Sequence, residues 1–348
     1  MENDAKGSLG DEADPYSKLR VGITYNLKKG IRTEVVDAEA EYDSIDTVLA
    51  IKNALEGDNC HVELMEADTN LPKRLQETPV DIVFNIAEGL KGRGREAEVP
   101  AVLNMFNIPF TGSDETTLCL ALDKALCKRV LSTYRIRTPK YRVFTKDDNR
   151  LNTKFSFPCI VKPNAEGSSK GISDICIATN KEELKTLVTN NIRAYGQDML
   201  VEEYIDGREF TVGVLGNGDD IHVFSPMEII YLKKNNKFNI YSYNVKQDYK
   251  KLIRYECPPN LDPKIEEEMI TMAKKIFKVL HCHDFSRVDF RLNSEGKPYF
   301  IEINPLPGLA PGYSDFPMLA EFCGMDYVTL VRSILRNALQ RNGLPFHI

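Results

Sequence analysis

The 348-residue sequence predicts an α/β protein that begins with a parallel sheet and continues as mixed α+β structure. Apolar residues make up 42% and charged residues 28%, which is ordinary globular composition. From 19 to about 120, apolar strand patterns alternate with helical patterns, as in parallel sheets. After that point, pairs of strands joined by glycine-containing turns dominate. At this length, two to three domains are expected.

In the first unit, 19–120, short apolar runs rich in branched residues predict buried strands at LRVGITYN, CHVELME and VDIVFNI. SIDTVLAIKNALEG has helical spacing and a glycine at position 57 that predicts its end. EVPAVLNMFN is also predicted as a helix, and IPFTGSD as a further strand. Parallel sheets of this kind bind ligands at the carboxyl ends of their strands.

The rest of the chain begins with TLCLALDKALCKRVLSTY, whose periodicity predicts one continuous helix. FPCIVKP and ISDICIA are predicted as two strands joined by a Gly/Ser loop, before a helix in KEELKTLVTNNIRAY and a strand in DMLVEEYI. Further strands, a Tyr-rich polar stretch and a long helix follow. SRVDFRLNSEGKPYFIEIN predicts two strands with a turn near Glu295-Gly296, and the helix TLVRSILRNALQRN comes last.

Charge and composition exclude several classes of function. The net charge of −6 argues against nucleic acid as the main partner, because phosphate binding needs a basic surface. No stretch approaches the roughly 20 apolar residues that span a bilayer. Residues 1–18 are polar and contain no apolar core of a signal peptide, so they are predicted to be a flexible tail, in part a cloning remnant. We therefore expect a cytoplasmic protein without a membrane partner.

The eight cysteines are scattered and include no CxxC pair, which predicts buried free thiols in a reducing compartment. The triplet His281-Cys282-His283 has no second ligand pair at a matching spacing, so zinc is not predicted there.

The first candidate site is the segment from Lys162 to Ile172, in which a strand delivers a lysine into a loop of small residues. Glycine and serine let backbone N–H groups approach phosphate oxygens, and the lysine adds a positive charge. Because a strand rather than a helix follows, the pattern is neither a Walker loop nor a dinucleotide fingerprint. A plain hairpin turn is the alternative.

The second candidate site is Val201–Glu209, where carboxylates beside an apolar edge could bind the exocyclic amine and ribose hydroxyls of a nucleotide. Solvated charges at an exposed strand end are the alternative. The third lies on the last two strands, where alternation places Arg287 with Asp289 and Glu302 with Asn304. Pairing of these strands would gather three oxygen ligands suited to magnesium, with Arg287 near a developing oxyanion. A structural salt-bridge cluster is the alternative.

These segments together resemble the ATP-grasp superfamily and, within it, the D-alanine–D-alanine ligase family, of which this chain looks like a divergent member. The resemblance runs from about Val21 to about Tyr327. It is carried by NIPFTGSD with LDKALCKRVL, by IVKPNAEGSSKGI, by MLVEEYIDGREFTV and by RVDFRLNSEGKPYFIEINPLPGLAPGYS. It implies a three-domain ATP-grasp fold: an N-terminal α/β substrate domain (19–120), a central lobe (121–206) and a C-terminal lobe (207–348), the two mixed lobes clasping ATP.

The resemblance also implies roles for individual residues. Arg287, Ser168 and the backbone N–H of Gly308 would be catalytic, the serine by orienting the first substrate. Asp289, Glu302 and Asn304 would bind two magnesium ions, for which manganese could substitute. The ATP-binding residues would be Lys124, Lys162, Glu166, Ser169, Gly171, Glu202, Glu203, Ile205, Glu209 and Lys246, the last on a mobile loop of roughly 241–255.

The chemistry implied by the resemblance is ATP-dependent ligation. A carboxylate attacks the γ-phosphate of ATP to give an acyl phosphate and ADP, and an amine then displaces phosphate. Loops exclude water, which would otherwise hydrolyse the acyl phosphate. Small-molecule acids and amines are the implied partners, and a homodimer is the implied assembly.

The sequence departs from the family pattern where amino-acid substrates bind. The glutamate that holds the first D-alanine is replaced only loosely by Glu39, Glu41 or Asp43, and the usual His-Gly is Glu88-Gly89. Arg93 and Arg95 add positive charge that predicts either bidentate binding of an extra carboxylate or a solvated surface. The remaining predicted substrate-binding residues, at positions where the family has other side chains, are Gln247, Tyr313 and Ser314.

These departures predict a ligase that acts on a pair other than two D-alanines, such as an amino acid and another small metabolite. A cell-wall D-alanine–D-alanine ligase is one alternative, and a nucleotide-binding regulatory relative without turnover is another. The second is disfavoured because Arg287, both lysines and the metal-binding set are all present. A third alternative is a biotin-type carboxylase or another acyl-phosphate enzyme of the same fold. This sequence shows no counterpart of the carboxylase-specific segments.

Overall fold

The structure is a computed structural model that describes residues 18–30, 39–56, 60–146, 156–167, 176–232 and 238–345. The strands are β1 (Leu19–Tyr25), β2 (Cys60–Glu66), β3 (Ile82–Asn85), β4 (Tyr141–Phe144), β5 (Cys159–Pro163), β6 (Ile177–Ala178), β7 (Met199–Glu203), β8 (Gly207–Leu215), β9 (His222–Val223), β10 (Met227–Tyr231), β11 (Ile253–Glu256), β12 (Phe285–Asn293) and β13 (Pro298–Asn304). The helices are α1 (Ile45–Leu55), α2 (Leu71–Glu77), α3 (Glu98–Met105), α4 (Glu115–Leu122), α5 (Lys124–Thr133), α6 (Lys181–Tyr195), α7 (Tyr243–Gln247), α8 (Tyr249–Leu252), α9 (Pro263–Val279), α10 (Asp315–Phe322) and α11 (Tyr327–Arg341).

The first sheet is parallel, with the order β2-β1-β3, as the alternation of strands and helices predicts. The strand and turn predicted at IPFTGSD are present in reduced form, beside β3. This segment makes only one isolated bridge, between Val83 and Phe110. The chain turns away at Gly112, whose φ of +87° favours glycine and whose N–H donates to Asp284 over 2.8 Å. The glycine predicted to end α1 lies outside the described residues.

The continuous helix predicted over 117–134 is wrong, because it breaks at Asp123. This residue has extended backbone angles and ends α4, while its side chain accepts from Leu126 N and caps α5. The same carboxylate accepts from Asn164 Nδ2 over 2.8 Å. A buried polar contact and an N-cap therefore interrupt the helix at this single residue, and Lys124 becomes the first residue of α5.

The remaining strands form two largely antiparallel sheets. One has the order β4-β7-β5-β6, and the other follows β11-β10-β8-β12-β13 with β9 beside β8. The predicted hairpin of β12 and β13 is confirmed, since Asp289 pairs with Glu302 and Arg287 with Asn304. The strands on either side of the Gly/Ser loop, β5 and β6, also pair, in antiparallel register.

The largest hydrophobic core joins the beginning of the chain to its end. Val21, Ile23 and Ile51 of the first unit share one buried cluster with Ile334 and Leu335 of α11. Arg332 donates to the carbonyl oxygen of Ala54 over 2.9 Å, next to this core. The last helix, α11, therefore covers apolar residues of the first sheet and of α1.

The Tyr-rich stretch, predicted as a mobile loop, contains α7, α8 and β11. The hydroxyls of Tyr241 and Tyr255 both donate to Asp315 Oδ1, over 2.8 and 2.9 Å. These contacts connect the stretch to the start of α10.

The cysteines are all free thiols, and Cys60, Cys127, Cys159, Cys176 and Cys282 are buried, as predicted. The prediction is wrong for Cys119 and Cys323, which are exposed, and Cys257 is partly exposed. The sulfurs of Cys257 and Cys323 are 3.7 Å apart. Among the described helices, none is long and apolar enough to cross a bilayer.

Candidate active site

Two adjoining cavities meet at Lys246 and Arg287, which line both. The larger, of about 300 Å³, lies between the first unit and the chain that follows β13. The smaller, of about 70 Å³, lies between the two antiparallel sheets. The predicted site residues that line the smaller cavity are Lys162, Glu202, Glu203, Ile205, Glu209, Asp289 and Glu302. Those that line the larger one include Glu41, Glu88, Lys124, Asn304, Gly308, Tyr313 and Ser314.

A buried ion-pair network surrounds Glu202. Lys162 approaches one carboxylate oxygen at 2.5 Å, and Lys128 approaches the other at 3.2 Å. Lys128 also donates to Thr138 Oγ1 and to the carbonyl of Ile301. The two cations hold the pKa of Glu202 below its ordinary value although burial acts in the opposite direction. Glu202 is therefore a paired anion and not the solvated strand end that was the alternative.

Lys124 connects α5 to the catalytic hairpin. Its ammonium lies 3.3 Å from Glu302 Oε2 and donates to the carbonyl of Glu166 over 2.6 Å. Lys124, Lys162 and Arg287 together lower the pKa of Glu302 to about 2. The capping of α5 by Asp123 fixes this lysine at the helix start, so the break in the helix places it in the site.

Arg287 lies between two carboxylates. Its guanidinium donates from Nε and Nη2 to Asp289 over 3.0 and 2.9 Å, and from Nη1 to Asp315 over 3.1 Å. Asp289 also accepts from Thr211 Oγ1 and from Asn304 Nδ2. The two anions raise the pKa of the guanidinium above its ordinary value, so Arg287 carries a positive charge throughout the functional pH range.

Asp289, Glu302 and Asn304 have the donor chemistry that a divalent cation requires. Asp289 and Glu302 are directly opposite in the hairpin, and Asn304 donates to Asp289 over 3.3 Å, which shows that the three side chains converge. Two carboxylates and one amide oxygen are hard ligands suited to magnesium. These residues fit a magnesium site in chemistry and placement.

Glu209 and Ile205 are held by Arg291. This arginine donates to Glu209 over 2.9 Å, to the carbonyl of Ile205 over 2.7 Å and to the hydroxyl of Tyr204 over 3.2 Å. Tyr231 donates to the same Glu209 oxygen over 2.7 Å. Glu209 thus projects into the smaller cavity from a fixed position.

Glycine at position 308 leaves room for the side chain of Ser314. A Cβ atom there would lie 2.9 Å from Ser314 Oγ, which accepts from the backbone N–H of Ala310. Gln247 donates to the Tyr313 hydroxyl over 3.0 Å, so these two predicted substrate-binding residues contact each other, although only Tyr313 lines the larger cavity.

The structure does not support direct substrate binding by Arg95. Its guanidinium is buried and donates to Glu41, in a two-point contact, and to the carbonyl of Ala165, and it lies 3.2 Å from Glu166. Burying a guanidinium demands such partners, which the sequence pattern could not identify because Glu41 is 54 residues away. Arg93, likewise, pairs with Asp123 at 2.9 Å. Arg95 is neither a solvated residue nor a free cation, and it positions Glu41.

Three other carboxylates of the larger cavity have a different environment. Asp43, Glu88 and Glu96 line it, and their side chains make no hydrogen bond or ion pair within the described part of the chain. Burial is the main reason why the pKa values of Asp43 and Glu96 rise to about 7. The pKa of Glu88 is also raised, by burial and by the charges of Glu96, Glu41 and Asp43. We call these three residues the acidic wall.

Three predicted site residues, Ser168, Ser169 and Gly171, lie outside the described residues. Of the others, Lys246 lies on α7 and is half-buried, and its pKa is lowered mainly by burial. Sequence reasoning missed Lys128, Arg291, Asp315 and Glu96. Lys128 and Arg291 carried a usable signal, since each is a charged residue in an otherwise apolar helical or strand pattern.

The fold and the site define an ATP-grasp ligase. The sequence from 130 to 336 matches the family model described as D-ala D-ala ligase C-terminus. A D-alanine–D-alanine ligase of Aquifex aeolicus is 35% identical over 84% of this chain and 94% of its own length, and one from Marinomonas sp. is 36% identical over 78% and 81%. An uncharacterized protein, y4sG, of Sinorhizobium fredii is 32% identical over 76% and 77%.

Solved structures show the same fold. The Bacillus anthracis D-alanine–D-alanine ligase complexed with ATP aligns with a TM-score of 0.74 at 22% identity, over 94% of this chain and 99% of that chain. The chain belongs to the D-alanine–D-alanine ligase family, and it is an ATP-dependent ligase.

Proposed function

We propose that the protein is a carboxylate–amine ligase that forms an amide bond through an acyl phosphate and acts on a small amino-acid or metabolite pair other than two D-alanines. One observation carries the proposal: the charged groups for phosphoryl transfer converge at the junction of the two cavities, whereas the larger cavity has its own set of polar side chains. Tyr313, Ser314 and the acidic wall belong to this second set. Outside the lining, Gln247 contacts Tyr313 and the buried Arg95 contacts Glu41.

In the proposed complex, the adenine lies along β7 in the smaller cavity, against Glu203 and Ile205. Glu209, which Arg291 and Tyr231 hold in place, accepts from the ribose. Lys124 and Lys162 bind phosphate oxygens, and Lys246 reaches the γ-phosphate from α7. The backbone around Glu166 covers the phosphates, and the Gly/Ser segment predicted to join it lies outside the described residues. Glu202 contributes by holding Lys162 and not by contacting the adenine directly, because its two oxygens are already paired.

Asp289, Glu302 and Asn304 would hold the magnesium ions. The metal would offset the negative charge of the phosphates when it is bound.

The reaction proceeds in two steps. An oxygen of the acid's carboxylate attacks the γ-phosphorus, the bond to the β-phosphate oxygen breaks, and ADP leaves. The amine nitrogen then attacks the acyl carbon, a proton is lost from nitrogen, and phosphate departs. Arg287 and the Gly308 N–H stabilise the oxyanion of the tetrahedral intermediate. The enclosed position of Arg287 keeps this charge interaction out of bulk water.

A D-alanine–D-alanine ligase of cell-wall synthesis is the second candidate function. The names of the curated relatives favour it. The two candidates differ in the product that they predict, and so one assay separates them. A homodimer, which the resemblance implies, is a further proposal that light scattering of the purified protein would test.

The decisive experiment is a screen of amino-acid pairs with magnesium and ATP, read by ADP release and by mass spectrometry of the products. We expect D-alanine with D-alanine to be a poor pair and another pair to give a dehydrated adduct in an amount equal to the ADP. Efficient formation of D-alanyl-D-alanine would establish the second candidate instead.

A further inference from the structure

The acidic wall is the part of the larger cavity that the proposed chemistry does not use. The Glu96 side chain belongs to a residue that is only 8% exposed, and it lines the cavity without a protein partner in the described part of the chain. Glu88 and Asp43 lie close enough for their charges to act on one another. An anion in such surroundings is costly unless a cation is bound beside it.

Two of the cations that line the same cavity are paired with carboxylates outside the wall. Lys124 is paired with Glu302, and Arg287 is paired with Asp289 and Asp315. The charge of Lys28 lowers the pKa of Asp43, but Lys28 is exposed to solvent. The charges of Arg95 and Lys124 also act on Glu96, and that of Arg95 on Glu88, but none of these cations forms an ion pair with the wall among the described residues.

Two cations line the junction of the two cavities, which the acidic wall does not line. Lys246 and Arg287 mark the junction with the smaller cavity, where the proposed function places the carboxylate that attacks ATP. A molecule that reaches from this junction to the acidic wall must be anionic at one end and cationic at the other. A single α-ammonium can be matched by one carboxylate, and the wall offers three.

We propose that the acid substrate is a basic amino acid, with a cationic side chain in addition to its α-ammonium. Ornithine, lysine and arginine are the class of compound that the charges select. The inference rests on the proposed function, because it assigns the acid substrate of that same site.

The test uses hydroxylamine as a common amine, because it converts an acyl phosphate to a hydroxamate whatever the natural acceptor is. The full chain is assayed with magnesium, ATP and one amino acid at a time. The panel pairs each basic amino acid, as both enantiomers, with a neutral analogue of similar shape: citrulline for arginine, norleucine and glutamine for lysine and ornithine. We expect kcat/KM for hydroxamate formation to be at least 10-fold higher for a basic compound than for its neutral analogue.

Equal kcat/KM values within each pair would overturn the inference while leaving the ligase function intact. Absence of hydroxamate and ADP with every compound of this panel would also overturn the inference. If the wider screen of amino-acid pairs likewise released no ADP, the proposed function would be overturned as well.

A variant provides the second measurement. Glu96→Gln keeps the shape of the side chain and removes its charge, and it should reduce the preference for the basic compound over its analogue by about 10-fold. Glu77→Gln removes an exposed carboxylate from α2 and serves as the matched control, with an unchanged preference. An undiminished preference in folded Glu96→Gln protein, as checked by its melting temperature, would contradict the role of the wall.

Discussion

The ion pairs of Arg287 fix both the charge and the orientation of its guanidinium. Two buried anions hold its guanidinium in place, so its donors are oriented before any substrate arrives. Such preorganised donors stabilise developing charge without reorganisation during the reaction. Its contribution should therefore appear in turnover more than in nucleotide binding.

We expect Arg287→Ala to lower kcat by roughly 100-fold or more, by analogy with other oxyanion donors, while the Kd for ATP changes by a few fold at most. Rapid-quench measurement of product and a nucleotide-binding titration would separate the two. Because the substitution leaves Asp289 and Asp315 without their cation, its melting temperature is measured first. Arg254→Ala removes an exposed arginine and is the control. Turnover equal to that of the wild type would exclude the role assigned to Arg287.

The acidic wall makes stability depend on pH. The folded-state pKa values of Asp43 and Glu96 are about 7, above the ordinary values of 3.8 and 4.5. A raised carboxyl pKa means that the native state binds more protons than the unfolded state between these limits. Stability should therefore fall as pH rises from about 4 to about 7, and then level off.

In the protein without substrate, we expect Glu96→Gln to be more stable than the wild type at pH 7.5, by on the order of 2 kcal/mol, and equally stable near pH 4.5. Urea unfolding at a series of pH values would measure both proteins. The same difference in stability at both pH values would contradict the assignment of a buried, repelled charge to Glu96.

Among the elements, the junction of α4 and α5 connects stability to function. Asp123 caps α5 and binds Asn164, and thereby sets the position of Lys124. We expect Asp123→Ala to lower the free energy of unfolding by about 1–2 kcal/mol and to raise KM for ATP several-fold. Urea unfolding and steady-state kinetics would measure the two effects.

The chain offers a matched control for this substitution. Asp326 caps α11 with the same geometry, through Thr329 N, but is not among the residues that line either cavity. Asp326→Ala should cost comparable stability and leave KM unchanged. If both variants changed KM equally, general loosening of the fold would explain the effect of Asp123.

The same elements show what sequence reasoning can and cannot reach. The β12–β13 hairpin was predictable because alternation fixes which side chains share a face, and this brought Arg287, Asp289, Glu302 and Asn304 together. The break at Asp123 was not, because the apolar periodicity continues across it and only a contact with Asn164, 41 residues away, reveals it. The buried position of Arg95 could not be predicted for the same reason, because its partners come from separate segments of the chain. Local patterns predict elements, whereas long-range pairing of charges becomes visible only in the structure.

At the scale of the whole molecule, the first unit depends on the last helix. The core of β1 and α1 is shared with Ile334, Leu335 and Leu339 of α11, which are fully buried. We expect the fragment 1–120, expressed alone, to lack a cooperative thermal transition, because one face of its sheet would expose this apolar surface to water. Far-ultraviolet circular dichroism during heating would show this. A sharp transition would establish that the first unit folds independently.

The pairing of Lys124 with Glu302 has a final consequence for how nucleotide enters. If Lys124 is to hold phosphate and Glu302 is to hold magnesium, the two must release each other, and each then loses its ion-pair partner unless the ligand replaces it at the same time. Magnesium and ATP should therefore bind together, the phosphate replacing Glu302 beside Lys124 while the metal replaces Lys124 beside Glu302. Calorimetric titration should find ATP binding at least 10-fold weaker in a chelator than with magnesium, and Lys124→Met should shrink that ratio. A ratio near one in the wild type would show that the pair need not separate.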